Sequence, residues 1–502
     1  MLCRIKKVLP PNATRSQWAA HHSEAPHSWL SHKGGRGSSV FTKYYACSSM
    51  SLLLNRVISR AAFRSGSAVL RGKQCLQPVS EHQVTASISR QFAFQHCKFA
   101  SSGRIRSGSG LSINQTRLWD AIHHTAQWGA TPEGGVRRLA LTDLDKSVRE
   151  WFVAEAKRYG CSVKIDQMGN IFAIRRGRNN DIPPIGIGSH LDTQPAGGRY
   201  DGILGVQAGL EILKVLEETG TETHAPLAVI NWTNEEGARF TTGMLSSAVW
   251  AGNATLQEAY DHVDSEGLTL KGELERIGFL GDVEASFDKN PLSAHFEYHI
   301  EQGPFLEDEE KSIGVVTGVQ GMTWLMVDVV GRSQHCGTTP IDRRSDALLA
   351  ASQMVSRVNE IAWENKGVTT VGVFRSSPQS PGTIPEEATF SVDIEHLSNE
   401  TMDQMAVSVR EGIGAIAKKH GCKVKIEQVW RSAAVAFDEE CIGAVRDAAI
   451  LHAGEDGFRE LPAGAGHDSV NTSYKCPTSM VFIPSKNGIS HHPSEYSTPE
   501  HW

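Results

Sequence analysis

Three short apolar runs, each stopping at a polar motif, constrain this chain more than any other feature. Ile185–Gly188 stops at Ser189-His190, Leu227–Thr233 runs into Asn234-Glu235-Glu236-Gly237, and Phe296–Ile300 stops at Glu301-Gln302-Gly303-Pro304. Runs this short and this apolar read as buried strands. Between the first two, Val206, Leu210, Leu213 and Leu216 recur at three- and four-residue spacing, the stripe of an amphipathic helix. Strand, helix, strand in that order folds as an α/β unit with a mostly parallel sheet. In such sheets the residues at the carboxyl ends of the strands line the site. His190, Glu235, Glu236 and His299 all fall at or near those ends.

A second pattern begins near Val316. Thr323–Val330 reads as a strand, Asp346–Trp363 as a helix, Thr369–Phe374 and Ala388–Leu397 as strands, Asn399–Lys418 as a helix and Lys423–Trp430 as a strand. That order, βαββαβ, is the split βαβ of ferredoxin-like folds. Thr478–Ile483 follows as a late strand of the first pattern. The expected fold class is therefore α/β. Residues 111–315 and 431–502 form one domain, with a mostly parallel or mixed sheet flanked by helices. A ferredoxin-like α+β domain at 316–430 interrupts it. No internal repeat is visible.

Composition sets the outer limits. A chain of 502 residues, 40% hydrophobic, has room for two soluble domains and something more. No stretch approaches 18 apolar residues, so no membrane-spanning helix is expected. Nine Cys without a CxxC pair argue against a disulfide scaffold or a zinc ribbon. The net charge of −6 hides a split: residues 1–110 carry 16 Lys/Arg against only Glu24 and Glu81, a balance of +14, which leaves −20 for the body. Within this leader the stretch MSLLLNRVISRAAFRSGSAVLRG, starting at Met50, places Arg56, Arg60 and Arg64 on one helical face. Arg-rich, Ser-rich and acid-poor is the composition of a mitochondrial presequence. The expectation is a mitochondrial protein whose native start is Met50, or a cytoplasmic one if the leader carries no address. The acidic body, and a leader without interleaved aromatics, argue against a nucleic-acid partner.

The chemistry-bearing residues are His190 and Asp192 in GSHLDTQPAGG, Asp201 in GRYDG, Glu235-Glu236 in NEEG, His299 in HIEQGP and His491 in GISHHP. Each alone fits an ordinary role, as a satisfied polar residue or a helix cap. Together, five regions supply imidazole and carboxylate donors with no Cys among them. Such mixed ligation suits zinc, manganese, cobalt or nickel.

The motifs GSHLDT, GGRYDG, NEEGARF, HIEQGP, HCGTTP, GAGHD and GISHHP occur in one order from Leu111 to the C-terminus. In that order the chain resembles the two-metal aminohydrolases, which include N-carbamoyl-L-amino-acid hydrolases, yeast-type β-ureidopropionases and allantoate amidohydrolases. They belong to the larger group of dinuclear zinc peptidases and aminoacylases. The resemblance implies a homodimer, a catalytic domain with an inserted dimerisation or lid domain, two divalent ions and a small ureido or amide substrate. It implies metal ligation by His190, Asp201, Glu236, His299 and His491, with Asp201 bridging and Asp192 orienting His190. Glu235 matches the general base. His335, in HCGTTP, matches a histidine that stabilises the oxyanion from the partner subunit's lid. Gln302 and Arg344 match substrate-contacting positions, and His467 and Asp468 a motif near the site. The implied reaction is hydrolysis of a linear C–N bond, foremost that of an N-carbamoyl-L-amino acid or a β-ureidopropionate-like substrate. Two ions sharing a water lower its pKa, and a neighbouring carboxylate relays the proton. The alternatives are an aminoacylase or dipeptidase, or a non-catalytic binding protein that keeps the fold.

Two features depart from the family pattern. The family's N-x-I-P-G turn reads GTIPEE, with Gly382 at the Asn position, and Glu395 stands at an Arg position in SVDIEH. Both family residues hold a substrate carboxylate, and an anion in place of a guanidinium inverts that recognition. A substrate without the carboxylate, a shifted register in which Arg375 takes the role, and relaxed activity each account for this. Trp502 also follows His491 by only eleven residues, where family members continue through a helix that covers the sheet.

Overall fold

The computed structural model describes residues 111–502; the basic leader and the Met50 start lie outside the described residues. The first apolar pattern builds a nine-stranded mixed sheet. Its members are β1 (Ser162–Ile165), β2 (Ile171–Arg175), β3 (Ile185–His190), β4 (Leu227–Trp232), β5 (Ala294–Ile300) and β6 (Ile313–Val319). They are joined from the far end of the chain by β14 (Val435–Ala436), β15 (Phe458–Ala463) and β16 (Thr478–Ile483). The order is β1-β2-β4-β3-β5-β16-β6-β14, with β15 also paired to β6. The centre, β4-β3-β5-β16, is parallel. β4 is buried at every position, the mark of a strand covered on both faces.

The late strand matters most for the site. β16 lies between β5 and β6, with Phe482 opposite His299 and Ile483 opposite Ile300. The loop after it therefore emerges beside the carboxyl end of β5, where His299 sits. Elsewhere the sheet is less well covered. Ile185, Ile187, Tyr298, Val481 and Trp502 line an apolar groove of about 380 Å³, and Phe296, Ile313, Val445 and Ala449 line another of about 260 Å³. Among the described residues no helix is long and apolar enough to cross a membrane.

The inserted segment supplies β7 (Gly321–Val330), β8 (Gln334–His335), β9 (Val368–Thr370), β10 (Phe374–Ser377), β11 (Thr383–Ile384), β12 (Glu387–His396) and β13 (Lys423–Ser432). β10-β12-β7-β13 form an antiparallel sheet, with β9 also on β12. Helices Ala347–Asn365 and Asn399–Lys419 belong to the same apolar core as Leu325, Val327, Val329, Phe390, Val392 and Ile394. Asp346 and Ser398 cap these helices, their side chains accepting from Leu349 N and Thr401 N.

The structure differs from the sequence reading in two places. The strand expected at Thr369–Phe374 is two short strands, because the chain leaves the ladder around Val373, whose N–H donates to the Ser391 hydroxyl at 3.0 Å. The pattern read from Val316 begins inside β6, which pairs with β14, β15 and β16 of the larger sheet. The apolar stretch from Ile313 to Val330 looks continuous in sequence. The chain changes sheets at Gln320, whose side-chain amide donates to Gly464 O and to Glu395.

Candidate active site

His190 ends β3 and is 1% exposed; His299, in β5, is fully buried. Backbone carbonyls hold the Nδ1 of each, that of Asp192 for His190 (2.9 Å) and that of Ile300 for His299 (2.8 Å). This fixes the ring orientation and leaves Nε2 facing Asp201. His190 Nε2 lies 3.5 Å and His299 Nε2 3.1 Å from Asp201 Oδ1. Gly202 follows at φ +69°, and a Cβ there would lie 2.3 Å from the His190 ring, so only glycine lets the loop approach.

The other Asp201 oxygen serves a second group. His491 Nε2 lies 3.4 Å from Asp201 Oδ2 and 3.5 Å from Glu236 Oε2. His190, Asp201 and His299, and separately Asp201, Glu236 and His491, thus bring one donor atom each to within 4.8 Å of one another. One carboxylate belongs to both groups. Two imidazoles with a carboxylate, and one imidazole with two carboxylates, are donor sets that fit divalent metal ions. Family resemblance alone assigned the two consecutive glutamates, but geometry separates them. Glu236 joins the second group. Glu235 joins neither, and its Oε2 lies 3.5 Å from His190 Nε2. The Asp192 carboxylate accepts the Glu235 and Glu236 N–H groups at 3.4 and 3.3 Å. Asp192 therefore reaches His190 through its main chain, while its side chain holds the NEEG turn.

Electrostatics follow from this crowding. Burial disfavours the Asp201 carboxylate, but His190, His299 and His491 outweigh it and hold it well below the usual range. Burial likewise opposes a charged His190, yet Glu235, Asp201 and their neighbours lift it well above its ordinary value. Glu235 is raised well above the carboxylate range by burial, reinforced by Asp468 and Glu236 against the opposing His190. Burial and then Asp201 push Glu236 up to about 7. Asn234, Gln302 and His491 all have left-handed backbone at φ 57°, 62° and 54°. Such strain persists only where surrounding contacts impose it.

The cleft over these groups has a volume of about 290 Å³. Gln302 lines it, its Nε2 donating to Asp201 Oδ2 at 2.8 Å. His467 also lines it, its ring packed edge-on to His299 at 4.5 Å and its Nε2 buried without a partner. Asp468 is fully buried on the Ser247 hydroxyl at 2.5 Å. The structure does not bring His335 or Arg344 to this cleft. His335 is exposed on β8, its Nδ1 accepting from Gly337 N and Thr338 N. The Arg344 guanidinium donates to the carbonyls of Cys336 and Thr339, tying down the loop that carries His335. Gly382 lies beside His335, its carbonyl accepting from Cys336 N, with β11 pairing Thr383 to His335.

Glu395 does not act as a free anion. Burial first and Asp393 second push its pKa up to about 9, and its carboxyl meets Asp393 and the Gln320 amide. The folded chain keeps this proton to about pH 9, whereas the unfolded chain releases it near 4.5. The folded state therefore binds the extra proton in that window, and this contribution to stability falls as pH rises through it. Glu395→Gln cannot ionise and removes the loss. Its Tm is expected to exceed that of the native chain by ~2 °C at pH 8 and to match it at pH 4.5. Equal melting curves at pH 8 would contradict the buried proton.

Several site residues were not identified from sequence. Glu495 Oε1 accepts from Tyr200 N and Asp201 N at 3.0 and 3.1 Å, and its Oε2 from Ser490 Oγ at 3.0 Å, fixing the loop that carries Asp201. Gln194 donates to Glu236 through its backbone and its side chain. Glu297, fully buried, accepts from Ser189 and Ser469 beneath the site. Met322, Trp324 and Trp430 line the cleft from the antiparallel sheet. Glu495 stands four residues after His491, but nothing local to it marks the Asp201 loop it holds.

Comparison with known proteins converges on one family. Residues 186–502 match the family described as Peptidase family M20/M25/M40. An N-carbamoyl-L-amino-acid amidohydrolase of Rhizobium meliloti is 41% identical over 392 residues, 77% of this chain and 93% of that protein. An allantoate amidohydrolase of Bacillus subtilis is 32% identical, covering 77% of this chain and 94% of that one. A hydantoinase/carbamoylase-family amidase of Burkholderia multivorans superposes with a TM-score of 0.71 at 45% identity, over 78% of this chain and 95% of that one.

Proposed function

The chain belongs to peptidase family M20/M25/M40, in its hydantoinase/carbamoylase branch, as an amidohydrolase of the N-carbamoyl-L-amino-acid hydrolase type acting on linear amides, and on that premise we propose that it hydrolyses the ureido C–N bond of an N-carbamoyl-L-amino acid. The products are the amino acid, CO2 and ammonia. The observation that supports this most directly is the sharing of Asp201 between two donor groups at the floor of one cleft. His190, Asp201 and His299 would hold one divalent ion, and Asp201, Glu236 and His491 the other. Ions bound there would supply Lewis-acid chemistry, lowering the pKa of water and polarising the substrate carbonyl. Glu235, outside both ligand groups, would be drawn into its ionised form by the neighbouring cations and could then accept the proton of the attacking water and return it to the leaving nitrogen. Gln302 orients the substrate from the cleft wall. His335 reaches the site from the second copy of a homodimer and donates to the developing oxyanion.

The test is ammonia release from N-carbamoyl-L-amino acids, β-ureidopropionate and allantoate, before and after metal depletion. Turnover of an N-carbamoyl-L-amino acid is expected to vanish on chelation and to return with added zinc, manganese, cobalt or nickel. Metal-loaded protein that releases ammonia only from allantoate would refute the substrate proposed. Activity unaffected by complete chelation would refute the mechanism.

A further inference from the structure

The antiparallel sheet has two unlike faces. Leu325, Val327 and Val329 of β7 belong to the core shared with the two long helices, while Met322 and Trp324 line the catalytic cleft. Trp430 joins them through an irregularity in β13. Its pairing runs from Gln428 opposite Leu325 directly to Trp430 opposite Trp324, so Val429 has no partner. In a regular ladder Trp430 would oppose Thr323 and turn toward the helices. The bulge re-aims its side chain by one position. The two indoles then sit with ring centroids 4.7 Å apart, tilted by 45°. Asp393 stands opposite Trp324 on β12. Neither indole is fully buried, and among the described residues lining the cleft there is no Lys or Arg.

Building on the amidohydrolase reading above, we propose that Trp324 and Trp430 are specificity-determining residues, forming the wall that receives an apolar, preferentially aromatic, substituent on the carbon bearing the scissile nitrogen. A tilted indole pair leaves ring faces free for a third ring, the arrangement aromatic side chains favour. A flat apolar group on that wall displaces water from the two half-buried indoles. Glycine's hydrogen leaves both wet. A second polar ureido group, as in allantoate, places hydrogen-bonding atoms against a surface with little to offer them.

The test uses full-length, metal-loaded protein and compares kcat/KM for N-carbamoyl-L-phenylalanine with that for N-carbamoylglycine, in the native chain and in Trp324→Ala, Trp430→Ala and Trp430→Phe. The native chain is expected to favour the phenylalanine compound by about tenfold or more, mainly through KM. Each alanine variant is expected to lose most of that ratio, and Trp430→Phe to keep most of it. An unchanged ratio in the alanine variants, or a native preference for N-carbamoylglycine or allantoate, would overturn the proposal. If no ureido compound is turned over, the reaction assigned above fails, and the wall is read by binding alone. Quenching of tryptophan fluorescence by N-carbamoyl-L-phenylalanine, weakened in Trp430→Ala, supports it; no binding to the native chain overturns it.

Discussion

Asp201→Asn is expected to abolish turnover and to lower bound metal from two ions per chain toward none. No other described residue belongs to both donor groups. Oδ1 faces His190 and His299, and Oδ2 faces His491. Asparagine keeps the shape but removes the charge, and it turns one acceptor into an NH2 group beside imidazoles that point their Nε2 atoms at it. Losing the ligand common to both ions forfeits several kcal/mol of transition-state stabilisation, on the order of 10³-fold or more in rate. Metal analysis by mass spectrometry and ammonia release measure the two effects separately. Circular dichroism checks that the variant folds, which is expected because Glu495 holds this loop through the backbone N–H groups of Tyr200 and Asp201. A variant that retains two ions and native turnover would show that Asp201 is not the shared ligand.

What made this site readable in sequence was the abrupt end of short apolar runs. His190 ends β3 and NEEG follows β4, so the strand limits and the donor positions are one signal. The ferredoxin-like order was readable for a similar reason, since Ala388, Phe390, Val392 and Ile394 of β12 alternate with more exposed neighbours. The limits of that signal are equally physical. Alternation cannot register an unpaired residue such as Val429, so Trp430 was assigned to a strand without its facing the cleft. A motif match shows that Arg344 is present but not where its guanidinium points, and here it points at loop carbonyls. By residue type alone Glu395 reads as a repelling anion. Its burial beside Asp393, a tertiary fact, keeps it protonated at neutral pH. Glu495 acts through backbone groups nearly 300 positions away in the chain, a relation that no local pattern encodes.

Glu235→Gln is expected to lower kcat by roughly 10²–10⁴-fold, the range for loss of a general base, while metal content stays at the native level. The side chain is 7% exposed and belongs to neither donor group. Its backbone is held independently of its carboxylate: the N–H donates to Asp192 Oδ1 and the carbonyl accepts from Met244 N at 2.6 Å. Glutamine therefore takes up the same position with nearly the same volume, and what it lacks is affinity for a proton. The neighbouring Glu236→Gln is the internal control. Glu236 Oε2 belongs with Asp201 and His491, so that variant is expected to lose metal, and its activity should return in part at high metal concentration. Glu235→Gln should not be rescued this way, because its deficiency lies in proton transfer. If Glu235→Gln lost metal as Glu236→Gln does, the two adjacent carboxylates would have exchanged roles. If it kept its rate, the proton would have to leave by way of another group lining the cleft, with His467 the first to examine.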